Sequence, residues 1–246
     1  LVMGDSVTFA VGLKEESSFV GLMRERFKNL NFFNTSVPGY DLGHYSDVVE
    51  KNKNLTNIKE VILFYTLEDI FFVKKEFNEQ NKPKLNKNNN KFINKLKSNY
   101  LFAKLNFFLR DKSVFYMLIK GIFSKPSERY FYDMRPFYED ENSVKELKVA
   151  FEKLKKVTEK NNFNLLIIIL PYEFQTRIEH CNSSFLLPQN VVKNIFTDLG
   201  MKFNDYTDDF CNKKKPSLLF LKYDPVHLST NGHRFVFDLL SKDLNY

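Results

Sequence analysis

Val61-Ile62-Leu63-Phe64-Tyr65 is an unbroken apolar run, and Leu165-Leu166-Ile167-Ile168-Ile169-Leu170, closed by Pro171, is a second. A strand with one wet face alternates apolar and polar residues, so unbroken runs of this length mark strands buried on both faces of a parallel sheet. Such a sheet needs helical crossovers between its strands.

The crossovers can be read outward from these runs. Leu1 to Met3 is an apolar strand already under way, and Gly4-Asp5-Ser6 turns out of it. Ser17 or Ser18 caps a helix carrying Val20, Met23 and Phe27 on one face. Phe32 to Val37 reads as a strand ended by Pro38-Gly39, and a short helix through His44 to Lys51 leads to Val61. Later, Ser143-Val-Lys-Glu146 has the form of a capping box, ahead of a stripe of Leu147, Ala150, Phe151, Leu154 and Val157. A helix from about Gln189 to Leu199, a short strand near Met201 to Phe203 and a final helix from Ser229 or Thr230 complete the series. The expected architecture is a three-layer α/β/α sandwich around a parallel sheet of about five strands, forming one domain over residues 1–246.

One excursion interrupts the alternation, at about residues 73–142. Residues 73–100 carry eight Lys against two Glu around an Asn-rich centre, the composition of a solvated loop. Residues 101–123 read as one or two amphipathic helices of an insertion packed on the main domain, with a membrane-facing or lid role as the alternative.

Of 246 residues, 43 % are hydrophobic, which excludes a disordered chain. The net charge of +7 favours anionic surfaces, but no recognition motif accompanies it, so nucleic acid is not expected as a partner. No stretch reaches the ~20 apolar residues of a membrane span. Starting inside a strand, the chain is expected to follow a removed upstream segment, which suits an exported or membrane-anchored protein, with a cytoplasmic one as the alternative. Cys181 and Cys211 lack the spacing of a zinc site and are either one disulfide or two free thiols.

In a parallel sheet, ligands bind beyond the carboxyl ends of the strands. Ser6, Gly39, Glu68 and Tyr172 each follow a predicted strand and so reach one edge of the sheet. Near the other terminus, Asp224 and His227 stand three residues apart on a tight turn, close enough for the carboxylate to orient the imidazole. A hydroxyl at a sharp strand-to-helix turn, with such a pair, is what acyl transfer through serine requires.

These blocks resemble those of the SGNH or GDSL hydrolase superfamily, which has a flavodoxin-like fold. GDSVTFAVGL at 4–13 is similar to its first block, NTSVPGYDLG at 34–43 to its second, and YDPVHLSTNGHRFV at 223–236 to its last. The resemblance spans the chain apart from 73–142. It implies Ser6 as nucleophile, His227 as general base, Asp224 as its orienter, and a Gly39 backbone N–H for the oxyanion. It also implies an ester substrate, such as acetyl groups on glycans or lipid-like esters, hydrolysed or transferred without metal or organic cofactor. The partner expected is thus an acylated glycan or lipid, with membrane-surface association through the insertion or an upstream anchor.

The third block departs from the pattern. Where the family places an Asn donating to the oxyanion, Thr66-Leu67-Glu68-Asp69 presents Glu68. Three readings are open: Glu68 is protonated and donates, it turns away while Thr66 or a backbone N–H substitutes, or the chain is a lapsed hydrolase that binds a glycan or partner without turnover.

Other residues carry structural expectations. His44 with Asp41 and Asp47 fits a solvated helix start, His233 a surface or supporting position, and Asp5 a brace for the nucleophile turn. His180-Cys181 is a nucleophile pair in print only, and Tyr172 lines the cleft or its rim.

Overall fold

The computed structural model describes residues 1–55, 57–75, 104, 108–109, 112–113, 125–177, 179–181 and 184–244. Four parallel strands form one sheet in the order β1 (Val2–Met3), β2 (Glu60–Tyr65), β3 (Asn164–Ile169) and β4 (Lys202–Asp205). The two apolar runs lie side by side, Ile62 opposite Leu166 and Tyr65 opposite Ile169. The expected fifth strand, Phe32 to Val37, is reduced to a single bridge between Val2 and Asn34. β1 is only two residues long, and it bonds to that segment at Phe33 and Thr35 alone. The Asn34 side chain meanwhile accepts from the Ser36 amide and donates to the Thr8 carbonyl, drawing the segment out of a ladder.

That bridge decides where a cleft can form. From β1 the chain runs to one flank, at Asn34, and then returns to the opposite flank as β2. The connections therefore diverge at the carboxyl end of β1, the switch point of an open parallel sheet.

Helices cover both faces. Phe64 and Tyr65 are adjacent on β2 and point to opposite sides. Phe64 meets Phe19 of helix α1 (Phe19–Arg26) at 4.3 Å between ring centroids, and Phe19 stacks on His233 of helix α2 (Thr230–Asp243) at 5.2 Å. On the other face, Tyr65 meets Phe151 of helix α3 (Glu141–Lys160) at 5.5 Å, and Phe196 of helix α4 (Leu187–Asp198) lies 4.6 Å from Phe151. Helix α5 (Leu42–Asn52) packs on α3. The three layers share one buried core.

Local caps refine the helix starts. Ser18 caps α1 by accepting from the Gly21 amide at 2.9 Å. The cap of α3 is Asp140, which accepts from both the amide and the hydroxyl of Ser143, so the Ser143–Glu146 box does not start this helix. The N-cap position went to the residue whose carboxylate complements the positive helix end. Most of the expected solvated loop and amphipathic helices at 73–123 fall outside the described residues. From 126 onward the excursion is helix α6 (Pro126–Glu139), which packs on α3 and α4. No helix among the described residues is long and apolar enough to cross a membrane.

His233 is buried rather than at the surface, and its Nδ1 accepts from the Phe19 amide at 3.3 Å. Burial, then the charge of His227, lowers its pKa to about 4. Below pH 6.5 the unfolded chain binds a proton that the folded one refuses, so stability is present above that pH and lost towards pH 4, by about 3 kcal/mol. Cys181 and Cys211 are joined in a disulfide closing a loop of 30 residues. By loop entropy such a link contributes about 3–4 kcal/mol. Denaturant titration of Cys181→Ser/Cys211→Ser is expected to show a loss of that size with an active-site geometry left intact. An unchanged midpoint would show that the loop is held by packing alone.

Candidate active site

Gly4 ends β1 with φ +157°, and a Cβ there would lie 2.2 Å from Thr8 Oγ1, so the turn needs glycine. The short helix α7 (Ser6–Phe9) follows at once, putting Ser6 at its first position, where backbone N–H groups lack intrahelical partners. Asp5 caps this helix: Oδ1 accepts from the Val7 amide and Oδ2 from the Thr66 hydroxyl, each at 2.8 Å. Asp5 is thus the brace expected of it, tying the loop after β1 to the loop after β2.

The C-terminal contribution is a looped-back segment. Phe220 bridges Leu228, and the Leu221 amide donates to the His227 carbonyl at 2.9 Å. Within this loop, Asp224 Oδ1 accepts from the amides of Val226 (2.9 Å) and His227 (2.7 Å). Its Oδ2 lies 2.8 Å from His227 Nδ1, and His227 Nε2 lies 2.9 Å from Ser6 Oγ. A carboxylate only accepts, so Nδ1 carries the hydrogen and Nε2 is left as acceptor for the Ser6 hydroxyl. Residues 221 positions apart in the chain are joined in one hydrogen-bonded line.

The charges are tuned by the same contacts. The hydrogen bond and charge of Asp224 raise the His227 pKa, against the effect of burial. Burial alone would raise Asp224, but the donors from His227 and Val226 outweigh it and lower its pKa.

Beside this line is a cavity of about 260 Å³, walled by Ser6, Gly39, Glu68, Tyr130 and His227. Gly39 occupies the left-handed position of a Pro38-Gly39 turn closed by the Tyr40 amide on the Val37 carbonyl. Tyr40 and Phe71 add aromatic surface.

Solved structures share this arrangement of elements. An acetyl xylan esterase, AlAXEase, superposes with a TM-score of 0.56 at 16 % identity, over 98 % of each chain. Esterase EstA from Pseudoalteromonas sp. follows at 0.54 and 12 %, over 100 % of this chain and 97 % of that one. A member of the lipolytic protein G-D-S-L family from Veillonella parvula gives 0.50 and 11 %, over 98 % and 94 %. This is the SGNH/GDSL hydrolase fold. No protein-family model matches the chain, and no curated protein matches its sequence. At these identities the likeness establishes the fold, and residue roles rest on this chain's own geometry.

Within that SGNH/GDSL fold, Glu68 lines the cavity and does not turn away. It is largely buried, and its pKa rises to about 8, chiefly through burial and then through the neighbouring Asp5 carboxylate. The Tyr130 hydroxyl, 2.5 Å from Oε2, and the His227 charge pull the other way. Thr66, the other side-chain donor considered, has its hydroxyl on Asp5 and is itself buried outside the cavity. Asp69 is likewise remote from the chemistry: it accepts from the Thr66 amide at 2.7 Å and from the Tyr45 hydroxyl, stapling the turn.

The other candidates separate cleanly. His44 pairs with Asp41 at 2.7 Å while Asp47 faces Lys153, and no metal-binding group of three or more such residues occurs among the described residues. Cys181 is in the disulfide and cannot be a nucleophile. Tyr172 is buried beneath Tyr130 at 5.6 Å between rings, and does not line the cleft. Sequence reasoning missed Tyr130, Tyr40 and Phe71. Tyr40 directly follows Gly39 in the second block, and Tyr130 begins an aromatic stretch with Phe131 and Tyr132.

Imidazole titration by NMR tests this electrostatic arrangement. His227 is expected to titrate above 6.5, and Asp224→Asn to bring it down by about one unit or more, since the charge holding the imidazolium is gone. His233 should stay neutral down to about pH 4. A His227 that titrates at or below 6.5 in the folded protein contradicts the Asp224 pairing.

Proposed function

We propose that this protein is a serine esterase in which Ser6 attacks an ester carbonyl, His227 acts as general base and then general acid, and Asp224 holds the imidazole in its reactive tautomer. The observation that carries this is the line Asp224–His227–Ser6, at 2.8 and 2.9 Å, ending on the wall of a cavity. Attack passes the Ser6 proton to Nε2, and the backbone N–H groups of Ser6 and Gly39 face the resulting oxyanion. The alcohol departs with that proton, and water releases the acyl group by the reverse path. No metal or organic cofactor enters these steps.

The cavity is at the small end of ligand sites, which favours short acyl groups such as acetyl. The acetyl xylan esterase among the structural neighbours agrees with acetylated glycans as a substrate class. We read residues 1–246 as one such domain carrying an insertion. The disulfide suits an oxidising compartment, as an exported or surface-anchored enzyme would meet.

Glu68 is compatible with catalysis because it keeps its proton up to about pH 8 and so adds no charge beside the oxyanion below that pH. Catalysis needs His227 neutral, so kcat/KM should rise with pH through the elevated His227 pKa. It should fall again near pH 8 as Glu68 ionises. Glu68→Asn should abolish the alkaline fall and raise kcat at pH 9 by about tenfold or more.

A fluorophosphonate probe separates enzyme from lapsed binding module. Labelling of the wild type that disappears in Ser6→Ala, with faster turnover of p-nitrophenyl acetate than of longer acyl esters, is the expected result. Well-folded protein that is neither labelled nor active would rule out the esterase reading in favour of a glycan- or partner-binding module.

A further inference from the structure

The esterase reading leaves a question of hydrogens on the Glu68 side of the cavity. The Glu68 carboxyl neighbours the Asp5 carboxyl and accepts from the Tyr130 hydroxyl at 2.5 Å. Two carboxyls share a hydrogen bond only through a proton, and a carboxylic acid has a single one to give. With that proton turned to Asp5, Glu68 meets the cavity with lone pairs alone.

Tyr130 is better placed to donate. It lines the cavity with Ser6 and His227, and its helix α6 is clamped to the same turn at a second point. There, two helical turns further on, Tyr138 donates to the Leu67 carbonyl at 2.8 Å. Tyr172 supports the Tyr130 ring from below. The other phenol in the cavity, Tyr40, lies flat on His44 at 4.6 Å, beside Gly39. On the esterase reading the Gly39 backbone N–H already serves that side.

We propose that Tyr130 is the side-chain oxyanion donor of this site, with Glu68 as its positioning residue; the proposal rests on the esterase reading above. When Ser6 Oγ bonds to the carbonyl carbon, its proton moves to His227 Nε2 and the carbonyl π pair moves onto oxygen. Tyr130 then turns its O–H from Glu68 to that oxygen, and Glu68 turns its proton from Asp5 to Tyr130 Oη. No proton is transferred in this re-aiming. Asp5 keeps the Val7 amide and the Thr66 hydroxyl as donors, so its carboxylate is not left bare. An ionised Glu68 would hold the one hydrogen of Tyr130, which makes loss of the Glu68 proton and loss of the donor the same event.

A double-mutant cycle with p-nitrophenyl acetate tests this, with folding of each variant checked by thermal melting. Tyr130→Phe in the wild-type background should lower kcat by about 10²-fold, with KM changed less than about threefold. In the Glu68→Asn background the amide donates directly, so the same Tyr130→Phe change should cost less than about threefold. A tyrosine that only packs would cost the same in both backgrounds, and that equality, or a Tyr130→Phe enzyme as fast as wild type, overturns the proposal. Fluorophosphonate labelling of Ser6 in the wild type is read first: if it fails, the esterase reading falls and takes this proposal with it. If it succeeds, the cycle judges Tyr130 alone.

Discussion

The Asp5 carboxylate is the joint on which the site depends. It is almost completely buried, yet it accepts from the Val7 amide in the loop after β1 and from the Thr66 hydroxyl in the loop after β2. Strand pairing aligns β1 with β2 only at Val2 and Met3, a short contact for positioning two loops. The carboxylate extends that alignment past the sheet, where no ladder exists. It therefore fixes Ser6 and Glu68 relative to each other, and a buried acceptor left without its two donors would be costly enough to disfavour any other loop arrangement.

The same economy of proton donors explains why acids gather around one imidazole in a basic protein. Asp5, Glu68 and Asp69 lie close together, Glu68 on the cavity wall, and each reaches a donor: amides and the Thr66 hydroxyl, Tyr130, and Tyr45 with the Thr66 amide. Burial drives Asp69 as well as Glu68 above the ordinary carboxylate range. Full ionisation would gather several negative charges around one turn beside the cavity that Glu68 lines. A Glu68 carboxyl that keeps its proton meets the hydrogen-bonding needs of the turn without adding to that field.

Much of this was legible in the residues because the signals were local and redundant. Val61–Tyr65 and Leu165–Leu170 could only be doubly buried strands, and three short blocks each fell where the alternation of elements put a strand end or a helix start. The spacing of Asp224 and His227 let the two lie side by side, and the resemblance of their block paired them. The misses have physical reasons. Phe32–Val37 has the composition of a strand, but Asn34 bonds to its own neighbours and β1 is too short to extend the ladder. Asp140 displaced Ser143 as the cap because its carboxylate accepts from the Ser143 amide and complements the positive helix end. His233, expected at a surface or supporting position, is not at the surface because α1 covers it and supplies an amide to its ring.

Tyr130 was illegible for a deeper reason: nothing in its vicinity in sequence refers to the site. It belongs to the excursion that breaks the βαβ alternation, and only the packing of α6 against α3 and α4 brings it to the cavity. A helix added to a finished sheet can approach a sheet edge only where loops leave room, and here it grips the turn after β2 through Tyr130 on Glu68 and Tyr138 on Leu67. That grip links two departures from the family pattern. With Asn in place of Glu68 the turn would supply its own donor, and an aromatic helix beside it would add bulk to a small cavity without chemical purpose. With Glu68 the turn presents a carboxyl, and the helix beside it donates a hydroxyl to it. Each feature is unfavourable alone, an unpaired buried acid or an obstructing tyrosine, and each removes the liability of the other.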